Sequence, residues 1–310
     1  MQPLIIITGP TAVGKTSLSI DIAKEINGEI ISADSMQVYR GMDIGTAKIR
    51  PEEMCGIKHY LIDEFNPQDE FNVAVFKEKC KNYIEEIYNH GKVPIIVGGT
   101  GFYIQAILYD IDFKETKIDY NYRESLWKFA KEYGVDELHK KLEKIDAYSF
   151  KTIHPNNVKR VIRALEYYKQ TKEPISSHNE KERQKKPSYT FKYFVLNLPR
   201  DILYNRIDKR VDKMKKDGLE DEVKFLIEKG CTKNMVSMQG LGYKEIIAAI
   251  ENGTSIDIAF EKIKQNTRHF AKRQLTWFRR EKDVIWVDKN KFASEKELLI
   301  YCIAECNKIL

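Results

Sequence analysis

The feature that most constrains how this chain folds is the phosphate-loop pattern Gly9-Pro10-Thr11-Ala12-Val13-Gly14-Lys15-Thr16, placed directly after the apolar run Leu4 to Ile7. Gly, four residues, then Gly-Lys-Thr has a mechanism only between a buried strand and a helix N-terminus, and a helix is predicted from Lys15. Glycines let successive N–H groups turn inward around phosphate oxygens, and the helix end adds positive potential. Lys15 neutralises charge, and the Thr16 hydroxyl can ligate Mg²⁺. Gly9, Thr11, Ala12, Val13, Gly14, Lys15 and Thr16 are therefore expected to bind a diphosphate, with the ester unspecified.

Around this loop the apolar periodicity alternates. Strands are predicted at Leu4 to Thr8, Glu29 to Ala33, His59 to Ile62 and Val93 to Val97, and helices at Lys15 to Ile26, Val73 to Asn89 and Phe102 to Leu108. Such alternation argues for an α/β fold, a P-loop NTPase-like parallel sheet flanked by helices. From Lys114 to Lys186 the chain is charged and aromatic, with helical patterns at Tyr122 to Tyr133 and Asn156 to Tyr168 and no clear strand. This reads as a helical insertion domain over 113–190, with 1–112 and 191–310 forming the core. Strands at Tyr193 to Leu198 and Val284 to Val287 complete the sheet, and Gln184-Lys185-Lys186-Pro187 is the expected linker.

The chain has 310 residues, 42% of them hydrophobic, enough for a sizeable core. The first apolar run is broken by Gly9-Pro10 too soon for a signal peptide, and no stretch approaches a membrane span. The five scattered cysteines lack zinc-finger spacing, which points to reduced thiols in a cytoplasm, with Cys302 and Cys306 packing one helical turn apart. Net charge is +6, but residues 169 to 216 hold 14 Lys or Arg against 6 Asp or Glu, and residues 262 to 282 hold 8 against 1. The rest of the chain is net acidic. That distribution suits a polyanion partner, although solvated helix faces would give the same letters.

Ser32-Ala33-Asp34-Ser35 ends the strand that follows the loop helix. Open parallel sheets bind ligands beyond the carboxyl ends of their strands, so Asp34 should face the phosphate site as a base, or hold Mg²⁺ through water. Gly98-Gly99-Thr100-Gly101 ends another buried strand at the same edge, where backbone can approach a ligand and Thr100 offers its hydroxyl. Leu61-Ile62-Asp63-Glu64 imitates the strand-Asp-Glu of a P-loop ATPase. Thr116-Lys117-Ile118-Asp119 imitates a guanine-reading motif, but no strand precedes it.

Five segments in order carry a resemblance: Gly9 to Thr16, Ser32 to Tyr39, Gly98 to Tyr103, Gln239 to Glu245 and Lys272 to Arg279. Together they resemble the bacterial tRNA dimethylallyltransferases nearly end to end. The resemblance implies Mg²⁺-dependent transfer of dimethylallyl from dimethylallyl diphosphate to N6 of the adenosine 3′-adjacent to the tRNA anticodon, by a cytoplasmic enzyme expected to be a monomer that binds an anticodon stem-loop. Lys15, Asp34 and Thr100 would be catalytic. Asp34 would accept the N6 proton during or after C–N bond formation, because a carboxylate is too weak a base to deprotonate a neutral amine beforehand. Ser35 and Gln37 would help hold the flipped adenine, with Met36 between them also contacting tRNA, Thr100 would stand between the substrates, and Arg210 would meet the diphosphate. Arg123, Lys159, Arg160, Val161, Ile162, Arg163, Gln239, Lys272, Arg273 and Arg279 fall where the family touches tRNA. Arginines interleaved with Trp277 and Phe278 suit phosphate contacts and stacking, with one of the two aromatics expected in the core.

This sequence has Val13 where the family often has Ser and Lys172 where Gly often ends a helix. The expected form is bacterial, without the zinc finger of eukaryotic relatives. Two other classes remain open: a small-molecule kinase with ATP at the loop, which fits the first hundred residues equally well but leaves the basic regions idle, and a nucleotide-dependent RNA-binding module without chemistry.

Overall fold

A computed structural model describes residues 1–113 and 119–310, so Thr116, Lys117 and Ile118 of the guanine-motif look-alike lie outside the described residues. In chain order the elements are β1 (Pro3–Thr8), α1 (Lys15–Glu25), β2 (Gly28–Ala33), β3 (His59–Tyr60), α2 (Val73–Asn89), β4 (Val93–Gly98), α3 (Gly101–Leu108), α4 (Tyr120–Tyr133), α5 (Val135–Lys140), α6 (Ala147–Thr152), α7 (Val158–Thr171), α8 (Ile175–Arg183), β5 (Thr190–Asn197), α9 (Arg200–Lys216), α10 (Leu219–Glu228), α11 (Tyr243–Asn252), α12 (Ile256–Phe278), β6 (Val284–Asp288) and α13 (Glu295–Cys306). They form two compact units, Met1–Leu108 with Ser188–Leu310, and Tyr109–Pro187.

The first unit is built on one six-stranded, all-parallel sheet in the order β3-β2-β4-β1-β5-β6. Its central strands are unbroken apolar runs because helices cover both faces: Leu4 to Ile7, Ile95 and Ile96 are fully buried. Cys302 and Cys306 lie buried in the cluster where α13 packs on α1. The strand at His59 is shorter than its apolar run suggests. Leu61 and Asp63 take left-handed backbone (φ 59° and 54°), which turns the chain out of the sheet after Tyr60. The ATPase look-alike is thereby accounted for: Asp63 pairs with Lys48 at 2.5 Å, and Glu64 accepts from the Leu61 amide and the Tyr83 hydroxyl.

Among the described residues, the second unit is five helices around Leu126, Leu138, Leu142, Val161, Ile162 and Leu165. Asp146 ties it together by accepting from the amides and hydroxyls of Ser149 and Ser176. Helix α7 is capped by Lys172, which adopts the left-handed conformation (φ 60°) that glycine favours at a helix end. Among the described residues, no helix is long and apolar enough to cross a membrane.

Candidate active site

Strands β1, β4 and β2 are neighbours, so the loop after β1, Thr100 after β4 and Asp34 after β2 follow one another along the C-terminal edge, with Thr100 in the middle. The sheet order decides this, because β2 and β4 are far apart in sequence yet adjacent in space.

The phosphate loop needs residues tolerant of positive φ: Gly9 at 141°, Ala12 at 66° and Gly14 at 94°. A Cβ on Gly9 would lie 2.5 Å from the Leu196 carbonyl oxygen. Lys15 Nζ donates to the carbonyls of Gly9 and Pro10 at 3.0 and 2.9 Å, so the ammonium lies folded across the loop. Burial first, then the Arg210 guanidinium, pulls its pKa down to about 8, with Asp34 acting the other way. Arg210 is itself lowered by burial and favoured by Asp34. Lys15, Arg210 and Asp34 therefore stand within electrostatic reach of one another, and α9 brings Arg210 to the loop rather than leaving it on a solvated face.

Asp34 Oδ1 accepts from the Met36 and Gln37 amides at 2.9 and 3.4 Å, forming the turn at the end of β2. Its Oδ2 has no hydrogen-bond partner among the described residues. Gln37 Nε2 donates to the carbonyls of Thr46 and Ala47. Thr16, Ser32 and Gln37 line one open cavity, which links the loop helix to the segment after Asp34. A Cβ on Gly240 would lie 3.3 Å from Met36 Sδ, so the Gln239-Gly240 turn sits against this segment, with Gln239 exposed.

Gln274 on α12 is the functional residue that sequence reasoning passed over. It accepts from the Thr11 amide at 2.9 Å and donates to the Gly99 carbonyl at 3.0 Å, clamping the phosphate loop to the β4 loop. Its signal was its spacing: Gln274 and Trp277 are three apart on a helix and share a face. Trp277 lies so close over Gly101 that a Cβ there would be 2.2 Å from its ring, while Phe278 is fully buried. Phe278 is thus the core aromatic. Lys289 and Arg206 also stand beside the loop: a Cβ on Gly14 would lie 3.0 Å from Lys289 Nζ and 4.0 Å from Arg206. Lys272 and Arg273 are exposed on α12, and Arg279 is exposed just past its end.

In the helical unit, Lys159 and Arg160 are exposed at the start of α7. Arg123 makes a two-pronged contact with the buried Glu166, Nε to Oε1 and Nη2 to Oε2, each at 2.8 Å, and Arg163 joins at 2.9 Å. Burial alone would raise the Glu166 pKa, but Arg123, the Asp119 amide and Arg163 hold it below the usual carboxylate range. The expectation for Val161 and Ile162 is corrected: both are buried in the core of this unit, at 0% and 2% exposure, because they fall on the inward stripe of an amphipathic helix.

The pKa of Lys15 yields a prediction that needs only the loop. Affinity for inorganic diphosphate should fall as pH rises through about 8, where the free protein loses the Lys15 ammonium. A Lys15→Arg variant keeps its charge and reports the titration of the ligand alone, so the ratio of the two dissociation constants isolates Lys15. A ratio that is flat from pH 7 to 9.5 would contradict the lowered pKa.

A diphosphate loop, a neighbouring hydroxyl and carboxylate at the edge of a parallel sheet, and a basic helix beside them define an enzyme that works on a phosphate ester. Residues 37–281 match the model of the IPP transferase family. The chain is 60% identical over 299 residues to a tRNA dimethylallyltransferase of Lachnoclostridium phytofermentans, covering 96% of each. A tRNA isopentenylpyrophosphate transferase structure from Staphylococcus epidermidis shares 45% identity with a TM-score of 0.73, covering 99% of this chain and all of that one. A eukaryotic dimethylallyltransferase acting on tRNA shares 29% identity with a TM-score of 0.81, covering 99% of this chain and 79% of that one. The chain belongs to the IPP transferase family.

Proposed function

We propose that this protein transfers the dimethylallyl group from dimethylallyl diphosphate to N6 of the adenosine 3′-adjacent to the tRNA anticodon, releasing diphosphate. The observation that carries the reading is the order along the sheet edge, with a diphosphate loop at one end, a carboxylate at the other and Thr100 between them. The N6 lone pair attacks C1 of the allylic group, the C1–O bond breaks with its electron pair going to the diphosphate, and the N6 proton passes to Asp34 Oδ2. Lys15, the loop amides and Arg210 stabilise the negative charge that grows on the leaving oxygens. Folded across the loop in the free protein, the Lys15 ammonium exchanges carbonyl partners for phosphate oxygens when the diphosphate enters.

Mg²⁺ fits the donor set. Thr16 presents a hydroxyl beside Lys15, and among the described residues no group of three or more Asp, Glu, His or Cys side chains could hold a metal, so diphosphate oxygens and water would complete the shell. Bound there, Mg²⁺ would supply further charge neutralisation to the leaving group. Ser35, Met36 and Gln37 hold the acceptor base, while Gln239, Lys272, Arg273 and Arg279, and in the helical unit Arg123, Lys159, Arg160 and Arg163, contact the anticodon stem-loop. The enzyme is read as a monomer acting in the cytoplasm.

The test is transfer of labelled dimethylallyl to unmodified tRNA with Mg²⁺ beside an ATP hydrolysis assay. Label in tRNA without ATP turnover is expected; ATP turnover without label would return the loop to nucleotide. For the tRNA surface, Arg160→Glu and Arg279→Glu should each weaken binding and reduce the slope of log affinity against log salt by about 1. Arg160 is the better probe than Arg163, whose guanidinium also serves Glu166. An unchanged slope would remove these side chains from the phosphate contacts.

A further inference from the structure

Outside the reacting groups, the most completely satisfied carboxylate in the first unit is Glu222 on α10. Its Oε2 accepts from the amides of Asp43 and Ile44 at 2.9 and 2.7 Å, and its Oε1 accepts from the Gly45 amide at 3.1 Å and the Tyr243 hydroxyl at 2.6 Å. All four acceptor positions of the carboxylate are used. Three successive N–H groups converging on one anion form a nest, here occupied by a side chain rather than a ligand. The arrangement requires Gly45, where a Cβ would fall 2.5 Å from the Tyr243 ring. Tyr243 is fully buried, and burial, reinforced by Glu222, raises its pKa well above the usual phenol value, so it stays a donor.

The loop leads directly to the acceptor-base segment. Thr46 and Ala47, the next residues after the nest, offer the two carbonyls that hold Gln37 Nε2 at 3.2 and 3.4 Å. Lys48 closes the same loop onto the Tyr39 carbonyl and Asp43. Displacing the amides at 43–45 therefore displaces the carbonyls that orient the Gln37 amide.

We propose that Glu222 is a positioning residue for the acceptor base: its carboxylate is the template on which residues 43–45 fold, and through that loop it fixes the Gln37 side chain. This rests on the reading above, in which Gln37 holds the adenine. The partner it serves is the tRNA base and not the diphosphate, because none of its four contacts reaches the phosphate loop. A Gln at 222 would replace one doubly accepting oxygen by an NH₂ group facing two donors, opening one side of the nest.

Steady-state transfer by Glu222→Gln, Gln37→Ala and the double variant tests the idea, with urea unfolding as a measure of the fold. Expected are a rise of about tenfold or more in KM for tRNA in each single variant, KM for dimethylallyl diphosphate within about twofold of the parent, and a double variant little worse than either. Should Glu222→Gln not fold, Tyr243→Phe removes one donor with packing kept, and a rise of about threefold in KM for tRNA alone is expected. If Gln37→Ala raises KM for tRNA and Glu222→Gln does not, the positioning role is wrong and the reading of Gln37 stands. If neither changes it, Gln37 does not hold the base, and the proposal falls with that reading. A parallel rise in both KM values would make Glu222 a general support of the fold and overturn the proposal.

Discussion

Asp34→Asn should cut the single-turnover transfer rate of bound tRNA by roughly 10²- to 10⁴-fold, the usual contribution of a positioned proton acceptor, with tRNA affinity within about twofold of the parent. The substitution separates two duties of this side chain. Oδ1 shapes the turn by accepting from the Met36 and Gln37 amides, and an asparagine carbonyl oxygen can accept from the same donors. In the proposed reaction Oδ2 takes the proton, and an amide nitrogen could not. Asp34 also favours the charged forms of Lys15 and Arg210, so its loss should lower both pKa values further and narrow the pH range for diphosphate binding. A variant that loses tRNA affinity yet turns over bound tRNA at the parent rate would make Asp34 a binding residue only.

Gly98→Ala should cost about 3 kcal/mol or more of folding stability, at or above the upper end for overpacking a core. Gly98 ends β4, paired on one side with Ala33 of β2 and on the other with Thr8 of β1, whose hydroxyl donates to the Gly98 carbonyl at 2.6 Å. A Cβ there would lie 2.3 Å from the Ala33 carbonyl oxygen and 2.8 Å from its Cα. These are backbone atoms of central strands, held by ladders on both sides, so no side-chain rotation relieves the contact. Separating β2 from β4 would also separate Asp34 from Thr100, and activity should fall more than the folded fraction does. The urea midpoint measures the first effect; a loss below about 0.5 kcal/mol would mean the strands can part cheaply.

Much of this site was legible before any coordinates. The phosphate loop, Asp34 and Thr100 are short contiguous segments whose chemistry is local, and each announces itself at the end of an apolar run. Gln274 was not legible in this way. It contributes two hydrogen bonds to Thr11 and Gly99, partners more than 170 residues away, and beyond its three-residue spacing from Trp277 nothing in its own neighbourhood distinguishes it from other polar helix positions. Glu222 is similar, since its three amide donors lie near residue 44. In the opposite direction, Val161 and Ile162 stood inside a basic run and were grouped with it, but the helical stripe sends them inward while Lys159 and Arg160 stay outside. Asp63 and Glu64 show how a motif's letters can occur without its geometry, because two left-handed residues turn them away from the sheet toward Lys48 and Tyr83.

By itself, the chain's sequence determined that a parallel α/β core carries a phosphate-loop motif with a carboxylate near by, and that a helical segment interrupts that core. Glycine spacing and apolar periodicity encode these through interactions between residues a few positions apart. Only the tertiary structure decided that β4 lies between β2 and β1, so that Thr100 separates Asp34 from Lys15, and that α9 and α12 bring Arg210 and Gln274 to the loop. Those placements depend on which buried faces fit together across the whole chain, a property of packing that no local pattern records.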